Sequence, residues 1–402
     1  MLVVFQNKII YMPSVPPFSR SEKIEDHAAG CRPVVWKEAR IRAADGTKLT
    51  LAVGEIPEMV QDPVSATGQL VGAKRKRVVI VYFQGYVVVS FLFPCHAEKR
   101  CLKLADTIRF SLVFGQMQSL NEPSTPSLPS ILAVLSVYMR FQSFHGPLTL
   151  GHLRNGASIP PRLPSLSSTL RTLRDRRSPA IYTVVALSYR GFWSSSGRAS
   201  EKGIKMDAVA ALSWVAETFS SNFNDGEEVK CVLWGQSLGA GVAADAAAAM
   251  AKMAISKGNK DIRIDGLLLE TPFVSVKDML LELYPQKWLP YRYLGPFLRN
   301  HWDTREALRR LANARESKIG SEGGRAVDLP KILILQAGKD ELVPVSQALE
   351  LEACAQEIGL KVSRLEVQGA LHNEVTMKAF GKAAIASFLS SIGDSGEEQR
   401  NS

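Results

Sequence analysis

The run Trp234-Gly235-Gln236-Ser237-Leu238-Gly239 sets a serine between two glycines, each two residues away. A hydroxyl is a weak nucleophile until a base takes its proton, and a histidine base needs a carboxylate to hold its tautomer. G-x-S-x-G at a strand-to-helix turn is followed along the chain by an acid and then a histidine. Both appear in that order. Ile332-Leu333-Ile334-Leu335-Gln336-Ala337-Gly338-Lys339-Asp340 is a strand running into a turn, with Glu341 as a rival acid. Asp340 is preferred because it is shorter and sits at the tighter turn. His372 follows the run Val362 to Val367. His301 also lies after the serine, but it precedes Asp340 and breaks the order. Ser237, Asp340 and His372 are therefore the candidate nucleophile, orienting acid and base. The Leu238 N–H, at the start of the following helix, is the candidate oxyanion donor.

These residues need a scaffold that brings strand ends together. Val78 to Phe83 is a continuous β-branched and aromatic run, and Tyr182 to Leu187, Val229 to Trp234, Ile264 to Leu269 and Lys331 to Gln336 are predominantly apolar runs. Such runs predict strands buried on both faces, as in parallel sheets. Helical patterns separate them over Lys202 to Phe219, Gly239 to Lys257, Gln347 to Ile358 and Val375 to Leu389. Alternation of this kind predicts an α/β fold, a mostly parallel sheet with helices on both faces. Asp45-Gly46 between two alternating runs predicts a leading hairpin. The expected organisation is an extension over 1–35, a catalytic domain over 36–392 with a small helical cap within 275–325, and a frayed polar tail over 393–402.

The chain has 402 residues, 46% hydrophobic and 22% charged, with a net charge of +10. That is ordinary globular composition. The excess charge suits an anionic surface or ligand, but no nucleic-acid motif accompanies it, so nucleic acid is not an expected partner. Five cysteines without metal-ligand spacing point to free thiols in a reducing, intracellular setting. No apolar span reaches the length of a membrane helix, and the apolar start is too short for a signal peptide.

Several segments resemble the α/β-hydrolase superfamily. They are Ile10-Tyr11-Met12-Pro13, Tyr82-Phe83-Gln84-Gly85, Ser188 to Gly197, Gly235 to Gly239, Glu270-Thr271-Pro272-Phe273, Gly338 to Pro344 and Leu371-His372-Asn373. More narrowly, they are similar to its membrane-associated branch of lysophospholipid lipases and protein depalmitoylases. The resemblance implies an α/β-hydrolase fold acting on an acyl-lipid or acyl-protein substrate, with association at a membrane surface and no metal or organic cofactor. It implies no catalytic role for Arg190, which is expected to brace loops.

One stretch departs from the family pattern. There the third strand runs through a short Gly-Asn motif directly into a helix. Here Gln84-Gly85 ends the strand, and Asn155-Gly156-Ala157-Ser158 looks like the remainder. Tyr86 to Arg154 intervenes without a regular period. It reads either as a lid insertion or as a translated intron, and the absence of pattern favours the intron. The second oxyanion donor is the N–H that follows Gly85, which belongs to Tyr86 as written or to Asn155 if the stretch is spurious.

The expected reaction is ester or thioester cleavage through an acyl-enzyme. A peptidase-like hydrolase and a non-catalytic membrane scaffold are the alternatives.

Overall fold

Continuous apolar runs form the centre of the sheet because both of its faces are covered by helices. In a computed structural model, the described residues are 6–11, 19–57, 76–85, 158–176, 178, 180–220, 228–257, 263–283, 290–319 and 329–394. They belong to one compact unit made of Met1–Tyr86 and Arg154–Ser402, while Val87–Leu153 separates as a second unit. The stretch 86–154, with both Tyr86 and Asn155, lies outside the described residues, as do Cys95, Cys101 and Trp288.

Among the described residues, eight strands make one sheet: β1 Val35–Arg42, β2 Lys48–Glu55, β3 Lys76–Phe83, β4 Ile181–Ser188, β5 Glu228–Gln236, β6 Ile264–Glu270, β7 Lys331–Ala337 and β8 Val362–Val367. Their order is β1-β2-β4-β3-β5-β6-β7-β8. β1 and β2 form the predicted antiparallel hairpin, β2 runs antiparallel to β4, and β3 to β8 are parallel throughout. The order reverses around β3, so β4 and β5 flank it on opposite sides. The carboxyl ends beside this switch are where an open parallel sheet places its site.

Among the described residues, the α-helices longer than one turn are α1 Gln6–Tyr11, α2 Leu163–Asp175, α3 Glu201–Ser220, α4 Leu238–Lys257, α5 Val276–Leu283, α6 Thr304–Ile319, α7 Val345–Glu357 and α8 Ala379–Asp394. Leu163, Leu166, Leu170 and Leu173 recur at helical spacing on α2 and are all buried against α8 and the sheet. The alanines of α4 have a packing reason. This helix is covered by β5, β6, α3 and α6 at once, and only small side chains allow such close approach on every side.

Thr304–Ile319, within the 275–325 span expected as the cap, lies along α4 with Leu308 and Leu311 buried. Its apolar stripe needs a partner, and α4 supplies one. The helical end of the chain also continues past Gly393 to Asp394, and Gly393 is buried.

The N-terminal segment is tied to the body by buried polar groups. Gln6 Nε2 donates to the Phe297 carbonyl (2.7 Å), and the Arg299 amide donates back to Gln6 Oε1 (2.8 Å). The Tyr11 hydroxyl donates to Asn300 Oδ1 (2.8 Å) and accepts from Trp302 Nε1 (2.9 Å). Tyr11, Asn300 and Trp302 are each 1% exposed. Burial pushes the Tyr11 phenol well above its ordinary range, so it stays a neutral donor. Tyr11→Phe leaves the buried Trp302 indole N–H unsatisfied, while Asn300 Oδ1 keeps the Glu201 amide (2.9 Å). It is expected to cost about 1–3 kcal/mol in denaturant unfolding.

Candidate active site

The turn after β5 holds Ser237 at φ +51°, a left-handed conformation rare for a residue with a side chain. The Ser237 amide donates to the Glu270 carbonyl (2.8 Å), and the Ala240 amide donates to the Ser237 carbonyl (2.9 Å). The chain therefore leaves β5 and enters α4 within one tight turn. Such a turn lifts the serine hydroxyl above the sheet edge. Leu238 opens α4, so its N–H belongs to the first turn, which has no intrahelical acceptor.

Two glycines permit this geometry. A Cβ on Gly239 would overlap the Phe83 carbonyl oxygen, and one on Gly85 would stand 2.5 Å from the Gln236 carbonyl and 2.7 Å from Ser237 Cβ. The end of β3 thus lies directly against the serine turn. Gly239→Ala is expected to cost more than about 3 kcal/mol or to prevent folding, read by thermal melting, because rigid backbone must move.

Asp340 follows β7 and His372 follows β8, so both stand at the same carboxyl edge of the parallel strands as Ser237. The two loops are joined by main-chain bonds from Gly338 N to Val367 O and from Lys339 N to Ala370 O, each 2.9 Å. His372 Nδ1 lies 2.9 Å from both Asp340 oxygens. Asp340 Oδ1 also accepts the Leu342 amide (3.0 Å) and the Val343 amide (2.9 Å). The two side chains are only 1% and 2% exposed. His372 Nε2 is buried and has no hydrogen-bond partner among the described residues. The ring therefore has one nitrogen committed to a carboxylate and the other open for proton transfer.

The rival acid has a separate place. Glu341 Oε2 accepts the backbone N–H of His372 (3.0 Å) and so helps to shape the loop. His301 is exposed, and its backbone amide donates to Glu201. Arg190 is engaged as a brace. Its amide donates to Asp207 Oδ2 (2.9 Å), and its guanidinium donates to Asp207 Oδ1 (2.9 and 2.8 Å) and to Asp45 Oδ2 (2.7 Å). Cys31, Cys231 and Cys354 are buried free thiols. Among the described residues, no cluster of His, Cys, Asp or Glu could hold a metal ion. No described helix is long and apolar enough to cross a membrane.

A polar layer beneath the serine turn was not anticipated. Trp234 Nε1 donates to Glu270 Oε2 (2.9 Å), Gln236 Nε2 donates to Glu270 Oε1 (3.2 Å), and the Tyr82 hydroxyl donates to Gln236 Oε1 (3.2 Å). The available signal was a glutamate closing the apolar run Ile264 to Leu269. The buried Gln84 side chain, at the end of β3, has no partner among the described residues.

A family model for the alpha/beta hydrolase fold matches residues 203–376, which span Ser237, Asp340 and His372. The chain has the alpha/beta hydrolase fold. Relatives include the protein bem46 of Schizosaccharomyces pombe, 30% identical over 168 residues, or 42% of this chain and 45% of that one. The Arabidopsis thaliana protein WAV2, an alpha/beta hydrolase domain-containing protein, is 27% identical over 58% of this chain and 65% of its own. The lysophosphatidylserine lipase ABHD12 of Danio rerio is 29% identical over 40% of this chain and 37% of its own. The chain spans about half the length of the first curated relatives it matches. Among solved structures, an alpha-beta hydrolase from Vibrio vulnificus aligns with a TM-score of 0.51 at 14% identity, covering 95% of this chain and 92% of that one. The candidate residues stand at the carboxyl ends of the parallel strands, where an open sheet of this order places a site.

Proposed function

We propose that this chain is a serine hydrolase that cleaves carboxylic ester or thioester bonds of acyl lipids or acylated proteins. The observation that carries the reading is the buried His372–Asp340 pair with an open Nε2, at the sheet edge that also holds the strained Ser237 turn. Ser237 Oγ attacks the acyl carbonyl carbon while its proton passes to His372 Nε2. Asp340 holds Nδ1–H and supports the resulting imidazolium. The carbonyl oxygen becomes an oxyanion and takes the Leu238 N–H, with a second N–H following Gly85. Nε2 returns its proton to the departing alcohol or thiol, leaving an acyl-serine. Water then gives one proton to Nε2 and its hydroxyl to the acyl carbon, and as the acyl–Oγ bond breaks Nε2 passes that proton to Ser237 Oγ, freeing the acid and the serine.

The lipid part of the reading is supported by the lysophosphatidylserine lipases among the relatives and by the net charge of +10. Positive charge draws an anionic head group or membrane surface toward the protein. One observation favours a second reading. The second oxyanion donor belongs to the stretch that interrupts the family pattern, and a chain lacking it would retain the fold as a non-catalytic scaffold.

A fluorophosphonate probe tests both readings, applied to the full chain and to a variant joining Gly85 directly to Asn155. Labelling of either supports the hydrolase. A folded protein that stays unlabelled in both forms supports the scaffold. Hydrolysis of lysophospholipid but not of aminoacyl substrates would set the lipase reading apart from a peptidase.

A further inference from the structure

Glu270 ends β6 and is fully buried, at 0% exposure. Its carbonyl accepts the Ser237 amide, so its main chain holds the nucleophile turn directly. Its two carboxyl oxygens accept from Trp234 and Gln236, the residues three and one places before Ser237. The Gln236 orientation is set by Tyr82, whose hydroxyl occupies its Oε1 and turns the amide nitrogen toward Glu270. Thr271, directly after Glu270, stands at φ +44° with its amide donating to the Leu335 carbonyl (2.7 Å). Strain of this kind persists where the surroundings over-determine a residue. One buried acid thus touches the serine turn through both main chain and side chain, and the next residue ties it to β7.

A carboxyl in such a place is costly unless it is hydrogen-bonded and compensated. Burial pushes the Glu270 carboxyl upward, while the Trp234 indole, Arg162 and His372 act the other way. Arg162, buried just ahead of α2, is the nearby cation, and Tyr82 is the titratable neighbour from β3. The acids around His372 are Asp340 on its Nδ1, Glu341 on its main chain, Glu374 on the Leu371 amide and Glu270 from β6. Glu270 is the one of these that also touches the serine turn.

We propose that Glu270 is a positioning residue for acyl transfer. It clamps the Ser237 turn, and its negative charge supports the imidazolium that His372 becomes. This rests on the serine-hydrolase reading given above. In a dry site, a negative charge near a histidine favours the protonated ring, and its removal does the reverse. Loss of the charge therefore slows acylation and moves the acid limb of the rate profile to lower pH.

The test is the second-order rate of fluorophosphonate labelling between pH 5 and 9 for the whole chain and three variants. Glu270→Gln keeps the shape and removes the charge. It is expected to label about tenfold to a hundredfold more slowly at neutral pH, with its acid limb lower by about 0.5–1 pH unit. Tyr82→Phe frees the Gln236 amide from its set orientation and leaves the Trp234 donor on Glu270, so it slows labelling without moving the limb. Glu270→Met, matched in volume and needing no hydrogen bond, carries the same test if the amide disturbs folding in a thermal melt. An unmoved limb in folded Gln or Met variants overturns the proposal, as does an equal movement in Tyr82→Phe. A wild-type chain that never labels, with or without the stretch after Gly85, overturns the hydrolase reading itself and this inference with it.

Discussion

Ser237→Ala is expected to abolish covalent labelling and to lower ester turnover by about 10⁴-fold or more. The magnitude follows from what the hydroxyl does. Without it there is no acyl-enzyme, and His372 can only direct water at a carbonyl that is still held by the Leu238 amide. A residual rate from binding and oxyanion contacts sets the floor. The substitution should leave the fold intact, because an alanine at φ +51° carries the same strain as the serine it replaces. Matched thermal melts with labelling confined to the wild type would tie the chemistry to this one oxygen. Equal labelling of both proteins would move the nucleophile elsewhere.

The second large effect separates two neighbouring acids. Asp340→Asn is expected to lower kcat/KM by about 10³–10⁴-fold. The amides of Leu342 and Val343 donate to Asp340 Oδ1 and would keep the asparagine oxygen there. The asparagine NH₂ then faces His372 Nδ1 and needs an acceptor. The ring answers by carrying its proton on Nε2, where the serine requires a base. Glu341→Gln should change the rate less than about tenfold, because Glu341 meets only the main-chain N–H of His372 and an amide oxygen can take that role. Steady-state kinetics on an activated ester measures both. A Glu341 variant that loses as much as the Asp340 variant would reverse the assignment.

Much of the fold was legible because each central strand is buried on both faces. Val78 to Phe83 and Ile332 to Leu335 are apolar without alternation, a pattern that an enclosed parallel strand requires. The Asp45-Gly46 turn announced the hairpin by its own backbone preference. The packing of Thr304–Ile319 along α4 was not legible, because an amphipathic helix declares that it has an apolar face, not which surface will cover it. The clasp between Gln6, Tyr11 and Phe297 to Trp302 was invisible for a related reason. Its partners lie nearly three hundred positions apart, and polar residues pair through geometry that no local period encodes.

The sequence by itself determined the strand-turn-helix around Ser237 and the order of serine, acid and histidine, because these depend on neighbouring residues and on chain direction. It also marked the break after Gly85, where a continuous motif is interrupted. The tertiary structure decided which of two adjacent carboxylates meets the imidazole and which meets the backbone. A one-residue step along a turn reverses where a side chain points, and only the bonds between the β7 and β8 loops set that direction. The tertiary structure likewise placed Glu270 beneath the serine turn. A buried charge is tolerated only where donors from several strands converge on it, and that convergence comes from sheet order rather than from any stretch of sequence.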